Sequence, residues 1–157
     1  MKATQNKDTS DLELKKLEYW TKFSDYIEEH SSIFKPKNYK LPHNWYDLSL
    51  NTKFSHLALT INSNNKTITS QVYLDDNKEL FDYLYEQKDE IENELKQQLT
   101  WDKKDSRKSC KIYISHNIDL MDEYKWEQSF KFIWMMQKYC MDYLKIGLMN
   151  LIILNEV

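Results

Sequence analysis

The sequence predicts an α+β domain: a helix, a three-stranded antiparallel meander, a second helix, two short strands and a long C-terminal helix. Three observations carry this. Apolar residues recur at helical spacing over 12–30, 77–97 and 120–146. Three runs between the first two stretches alternate apolar with polar residues, as half-buried strands do. Those runs are joined only by NTKF and SNNK, connections short enough for antiparallel hairpins.

The elements follow in order. Residues 1–11, MKATQNKDTSD, are polar and are expected to be a disordered tail, leaving 12–157 as a single domain. Ser10 or Asp11 is suited to cap the first helix. Leu12, Tyr19, Trp20, Phe23, Tyr26 and Ile27 fall in one arc of about 120°, a core-facing stripe. Pro36 and Pro42 mark a loop over 31–44. The strands are Trp45–Leu50, Ser55–Asn62 and Thr67–Leu74. Their core faces carry Tyr46, Leu48 and Leu50, then Leu57, Leu59 and Ile61, then Ile68, Val72 and Leu74. Asn64 and Asn65 tolerate positive φ and are expected to make the second turn without glycine.

The second helix is expected from Asn77 to Gln97, with Leu80, Phe81, Leu84, Ile91 and Leu95 in one arc and Lys88 snorkelling from its edge. Leu99–Trp101 and Ser109–Ser115 are the short strands. The last helix, Leu120–Ile146, has two apolar stripes. One is Trp126, Phe130, Ile133, Trp134, Met141 and Leu144; the other is Phe132, Met136, Tyr139 and Tyr143. Such a helix is either sandwiched inside the domain or part of an interface. Gly147 is placed to end it as a C′ residue. The tail LMNLIIL then needs cover from this chain or from a partner.

Composition narrows the chemistry. Gly147 is the one glycine in 157 residues. A phosphate loop or nucleophile elbow needs several, so nucleotide-binding loops and a GxSxG turn are excluded. Aromatics reach 14% and stand in for the missing small residues. A low-GC genome produces the same bias. The net charge of −3 names no partner. Cys110 and Cys140 have no metal or redox spacing and read as buried free thiols of a cytoplasmic protein. There is no apolar signal region at the N-terminus, and Leu148–Leu154 is too short to span a bilayer.

Charge is segregated along the chain. Residues 34–46, FKPKNYKLPHNWY, carry three lysines and no acid. Residues 103–111, KKDSRKSCK, carry five basic residues against Asp105, and residues 75–94 carry nine acids against Lys78 and Lys88. Basic residues interleaved with aromatics suit a phosphate backbone and stacked bases. The nucleic-acid candidates are therefore Lys35, Lys37, Tyr39, Lys40, Trp45, Lys103, Lys104, Arg107, Lys108 and Lys111. Solvated loops explain the same pattern. Arg107 is the only arginine, which argues against base-specific readout. The polar sheet face would present Trp45, Asp47, His56, Thr60, Gln71 and Tyr73. Asp47 and His56 are the weak catalytic candidates, as an acid–base pair. His30, His43, His56 and His116 are scattered, so no metal site and no cofactor are expected.

These residues resemble a known family, the bacterial and archaeal domain numbered 4268 in the domain-of-unknown-function series. The resemblance runs from about Leu17 to Trp134. It rests on Tyr19-Trp20 with Phe23, Trp45 with Ser49, HLALTIN at 56–62 and VYL at 72–74. It continues through KELFDYLYEQKDEIENEL at 78–95 to Leu99 and Trp101, and is most specific around Lys88, Ile91 and Glu92. It implies a domain often placed C-terminal to a nuclease-like domain in restriction or DNA-handling proteins. Two departures stand out. Asn51-Thr52-Lys53 replaces glycines expected in the first hairpin, and Gln71 replaces an acid before VYL. The helix–meander–helix order invites comparison with PD-(D/E)xK nucleases. Their site needs an acid and a lysine two apart on a strand, and Gln71-Val72-Tyr73 offers neither.

The leading expectation is a non-catalytic binding or accessory module of a DNA-handling or restriction/defence system, contacting nucleic acid and partnered by a nuclease-domain protein. The alternative is a homodimerising interaction module using 120–157. An enzyme or degenerate nuclease is the third. No membrane association is expected.

Overall fold

The computed structural model describes the backbone of residues 2–30, 36, 42–52, 55–75, 77–103 and 106–156, and the side chains of these except 2–10, 50–52 and 154–156. The protein is α+β. Its elements are α1 (Lys2–His30), β1 (Trp45–Thr52), β2 (Ser55–Asn62), β3 (Thr67–Leu74), α2 (Lys78–Glu86), α3 (Lys88–Leu95), β4 (Thr100–Asp102), β5 (Cys110–Asn117) and α4 (Trp126–Glu156). A 3₁₀ turn over Glu123–Lys125 precedes α4.

The sheet is fully antiparallel with order β1-β2-β3-β5-β4. The meander is as the alternation predicts. Local patterning does not place β5 between β3 and β4; that order requires the chain to cross over through α2, α3 and β4 first. The core gathers the inward sheet face (Tyr46, Leu48, Leu57, Leu59, Ile61, Ile68, Val72, Leu74 and Cys110) against apolar faces of all four helices. Burying each large side chain contributes roughly 1.5–3 kcal/mol.

Aromatic residues fill the space between α1, β1 and α4. Tyr19 meets Trp126 edge-on at 5.4 Å, and Phe23 meets Tyr46 edge-on at 5.2 Å. Trp20 Nε1 donates to the His43 carbonyl at 2.8 Å, and Trp126 Nε1 to the Leu120 carbonyl at 3.1 Å. Both indoles are buried, so these bonds satisfy donors that water cannot reach.

Several elements differ from the sequence reading. α1 takes in residues 2–11, expected as a disordered tail; the segment holds no Gly or Pro to interrupt helical hydrogen bonding. The helix expected over 77–97 is two helices, broken at Gln87, whose N–H bonds back to the Leu84 carbonyl at 3.0 Å. The break leaves Leu80, Phe81, Leu84, Ile91 and Leu95 all buried. Asn77 caps α2, its side-chain oxygen accepting from Leu80 N at 3.0 Å. Lys88 lies over the Tyr85 ring, 5.7 Å from its centroid. In the β2–β3 hairpin the left-handed residue is Lys66 (φ 52°), and the asparagine that stabilises the turn is Asn62, whose Oδ1 accepts from Asn65 N. Neither Asn64 nor Asn65 has positive φ.

Gly147 does not end the last helix. α4 continues to Glu156 and passes straight through it. A Cβ at 147 would stand 2.8 Å from Leu80 Cδ1 and 3.2 Å from Tyr83 Cδ1. The glycine is thus a point of close approach between α4 and α2, and Asn150 Nδ2 donates to the Tyr83 hydroxyl about one turn later. Because α4 packs on α1, α2 and β3, both of its apolar stripes are used. Of the tail, Leu148 and Leu151 lie against the core, whereas Ile146, Met149, Ile152 and Ile153 are exposed.

Candidate functional site

All four helices pack on one sheet face, and no described helix covers the other. The strand register sets out that second face row by row. One row runs Ser49, His56, Tyr73, Lys111 and Asp102 from β1 to β4; the next runs Asp47, Ala58, Gln71, Tyr113 and Thr100; a third runs Trp45, Thr60, Thr69 and Ser115. Trp45 is 47% exposed although it opens a strand, and His43 leans on it with ring centroids 4.7 Å apart. Trp45 and Lys111 mark diagonal corners of the face, about 20 Å apart from strand spacing and rise.

Side chains on this face hold one another in place. His56 stacks on Tyr73 at 4.8 Å with planes 6° apart. His56 Nδ1 lies 2.8 Å from Asp75 Oδ2. The Tyr73 hydroxyl donates to Gln71 Oε1 at 3.2 Å, and Gln71 Nε2 donates to Thr60 Oγ1 at 3.2 Å. Lys111 Nζ sits 5.3 Å from the Tyr113 ring centroid. The result is a set of aromatic rings packed on their neighbours, with hydrogen-bonding groups between them.

The structure places the expected site residues unevenly. Trp45 and Lys111 belong to this face. Lys103 Nζ is bound to Asp82 of α2 at 2.6 Å, and Arg107 Nη2 to Asp102 at 3.1 Å. The basic loop is thus partly neutralised, in the case of Lys103 by the acidic segment that precedes it. Lys108 is exposed. Lys35, Lys37, Tyr39, Lys40 and Lys104 lie outside the described residues.

Asp47 and His56 share the open face, but the carboxylate that engages His56 is Asp75. Asp75 lies just past the end of β3, where alternation gives no signal. The hairpin register, which pairs His56 with Tyr73, puts residue 75 two positions along the same face and so diagonal to His56.

A second polar cluster lies under the helices. Ser129 Oγ is 2.7 Å from the Tyr19 hydroxyl and 2.8 Å from His116 Nε2. Burial lowers the His116 pKa to about 4, so its ring is neutral at neutral pH. Cys110 is buried and Cys140 half-buried. Their apolar surroundings push both thiols up, which leaves them poor nucleophiles. Among the described residues no three His, Cys, Asp or Glu side chains are grouped to hold a metal ion, and no helix is long and apolar enough to cross a membrane.

In the comparison with known families, the model described as Domain of unknown function (DUF4268) matches residues 15–141. No curated protein and no solved structure matches the chain.

Proposed function

We propose that this chain, which belongs to the domain of unknown function DUF4268 family, is a binding module that holds single-stranded nucleic acid on its open sheet face, as an accessory to a DNA-handling or restriction/defence system. One observation carries this reading. One sheet face, which no described helix covers, carries Trp45, the His56–Tyr73 stack and the Lys111–Tyr113 pair. Aromatic faces on a sheet stack unpaired bases without regard to sequence, and two or three bases fit such a surface. Two of the face's carboxylates, Asp75 and Asp102, are already engaged by His56 and Arg107. The contact surface of this reading is the sheet face rather than the basic loops, with lysines 35, 37, 40 and 104 as rim contacts expected from the sequence alone.

Fluorescence titration with an oligo-dT strand tests the proposal. Binding should weaken with salt. Trp45→Ala, Tyr73→Ala and Tyr113→Ala should each cost about 1–3 kcal/mol. Unchanged affinity in all three variants, or no binding at low salt, would sink it. A joint Lys35→Glu, Lys37→Glu, Lys40→Glu variant reports separately on the rim.

A homodimer is the second reading. It is favoured by the exposed stripe of Ile146, Met149 and Ile153 on α4. Sedimentation would decide it, since a monomer mass that does not change with concentration excludes a dimer.

A further inference from the structure

A groove runs along the open edge of β5. β4 pairs only with residues 111–113, so the far half of β5 has no neighbour on that side among the described residues. Glu92 anchors the chain as it enters β4: its Oε1 accepts from Leu99 N at 2.9 Å and Trp101 Nε1 at 3.1 Å. A cavity of about 390 Å³ lies along the open edge. Residues 114–118 form one wall. Lys125, Gln128, Ser129 and Phe132 form the other, at the i, i+3, i+4, i+7 spacing of one helix face.

We propose that this groove receives an extended acidic segment of a partner protein, which adds as a strand to the open edge of β5 and sets a carboxylate beside Lys125 and His116. An exposed strand edge is a template for pairing. Strand addition beside a helix supplies main-chain bonds for affinity and a side-chain pocket for specificity. The open half of β5 spans about 13 Å, long enough for a strand of four residues.

Charge selects the occupant. No carboxylate lines the cavity, and its one charged lining residue is Lys125, held only loosely by Asp122 at 3.7 Å. Gln97, Asn117 and Gln128 add amide donors. His116 Nδ1 is buried and has no hydrogen-bond partner. When Tyr19 donates to Ser129 and Ser129 to His116 Nε2, the ring proton sits on Nδ1, a donor for the carboxylate. The groove lies at the β5 edge; Ser115 is its one residue that also stands in the open-face rows, and its helix wall, Lys125 to Phe132, is separate from a nucleic-acid strand bound on that face.

The test is a titration of the isotope-labelled full chain with a pool of synthetic octapeptides. Each peptide has a central Glu flanked by Val, Thr, Tyr or Ser, and a matched pool carries Gln instead. The Glu pool should shift amides of 114–118 and 125–132, protect 114–117 from exchange, and bind roughly tenfold tighter than the Gln pool. Lys125→Glu, an exposed position that leaves folding intact, should abolish that preference. Equal affinity of the two pools, shifts confined to other residues, no shifts at millimolar peptide, or the same shifts from free glutarate would each overturn the proposal. Shifts at 125–132 produced by oligo-dT would do the same.

Discussion

Trp101 Nε1 donates to Glu92 Oε1 at 3.1 Å, and the same oxygen accepts the backbone N–H of Leu99. One carboxylate on α3 thus satisfies two donors in the segment that follows it, one just before β4 and one within it. This gives a physical meaning to the stretch around Lys88, Ile91 and Glu92, where the family resemblance is most specific. Glu92→Ala should cost about 1–3 kcal/mol in urea denaturation, because half-buried donors lose a charged acceptor. Glu92→Gln, which keeps an acceptor oxygen, should cost less. Equal losses would mean that packing, not the bond, matters there.

Gly147 makes an opposing demand on α4. A helix interior is normally a poor place for glycine, which costs roughly 1 kcal/mol against alanine. Here the missing side chain is the space occupied by Leu80 and Tyr83. Gly147→Leu should destabilise the protein by about 1–3 kcal/mol through overpacking. Thermal melting would show a midpoint lowered by several degrees. A neutral result would place α2 and α4 further apart than described.

Lysines hold the two left-handed positions in the described chain, Lys66 and Lys96. Lys96 follows α3 with φ 54° and ψ 33°, the place where glycine is preferred after a helix. Lys96→Gly should therefore stabilise the fold by about 0.5–1 kcal/mol, read as a higher urea midpoint. Lys96→Ala should not, since alanine keeps the Cβ that makes this conformation unfavourable.

His116 makes stability depend on pH. Burial lowers its pKa from the usual 6.5 to about 4. Between these values the unfolded chain binds the proton and the folded chain does not. The contribution is thus complete above pH 6.5 and is lost as pH falls toward 4. Acidification across that window should remove on the order of 2 kcal/mol, discounted for the ring's partial exposure. A His116→Gln variant should show a flatter stability profile between pH 7 and 4. Parallel profiles would assign the acid sensitivity to other groups.

Much of the fold was legible in particular residues. Leu57, Leu59 and Ile61 alternate with polar neighbours over a strand whose bounds came out as expected, Ser55–Asn62. Two stripes on the last helix left open a place inside the domain or at an interface, and α4 lies among α1, α2 and β3. The candidate site was less legible. Trp45, His56, Gln71 and Tyr73 were placed together on the polar face by alternation. Asp75, Tyr113 and the Ser129–His116 pair were not, because their neighbours come from distant strands and helices.

The sequence by itself determined the element order, the identity of nearly every core residue, and the absence of glycine-built phosphate loops. These follow from local rules: period, propensity and the conformations a residue type can adopt. Only the tertiary structure decided that β5 lies between β3 and β4, that Gly147 marks a crossing of two helices, and that the described helices all pack on one sheet face. Each of these depends on which distant surfaces meet. The same apolar stripe or small residue has the same local pattern whether it faces solvent, a neighbouring helix or a chain end.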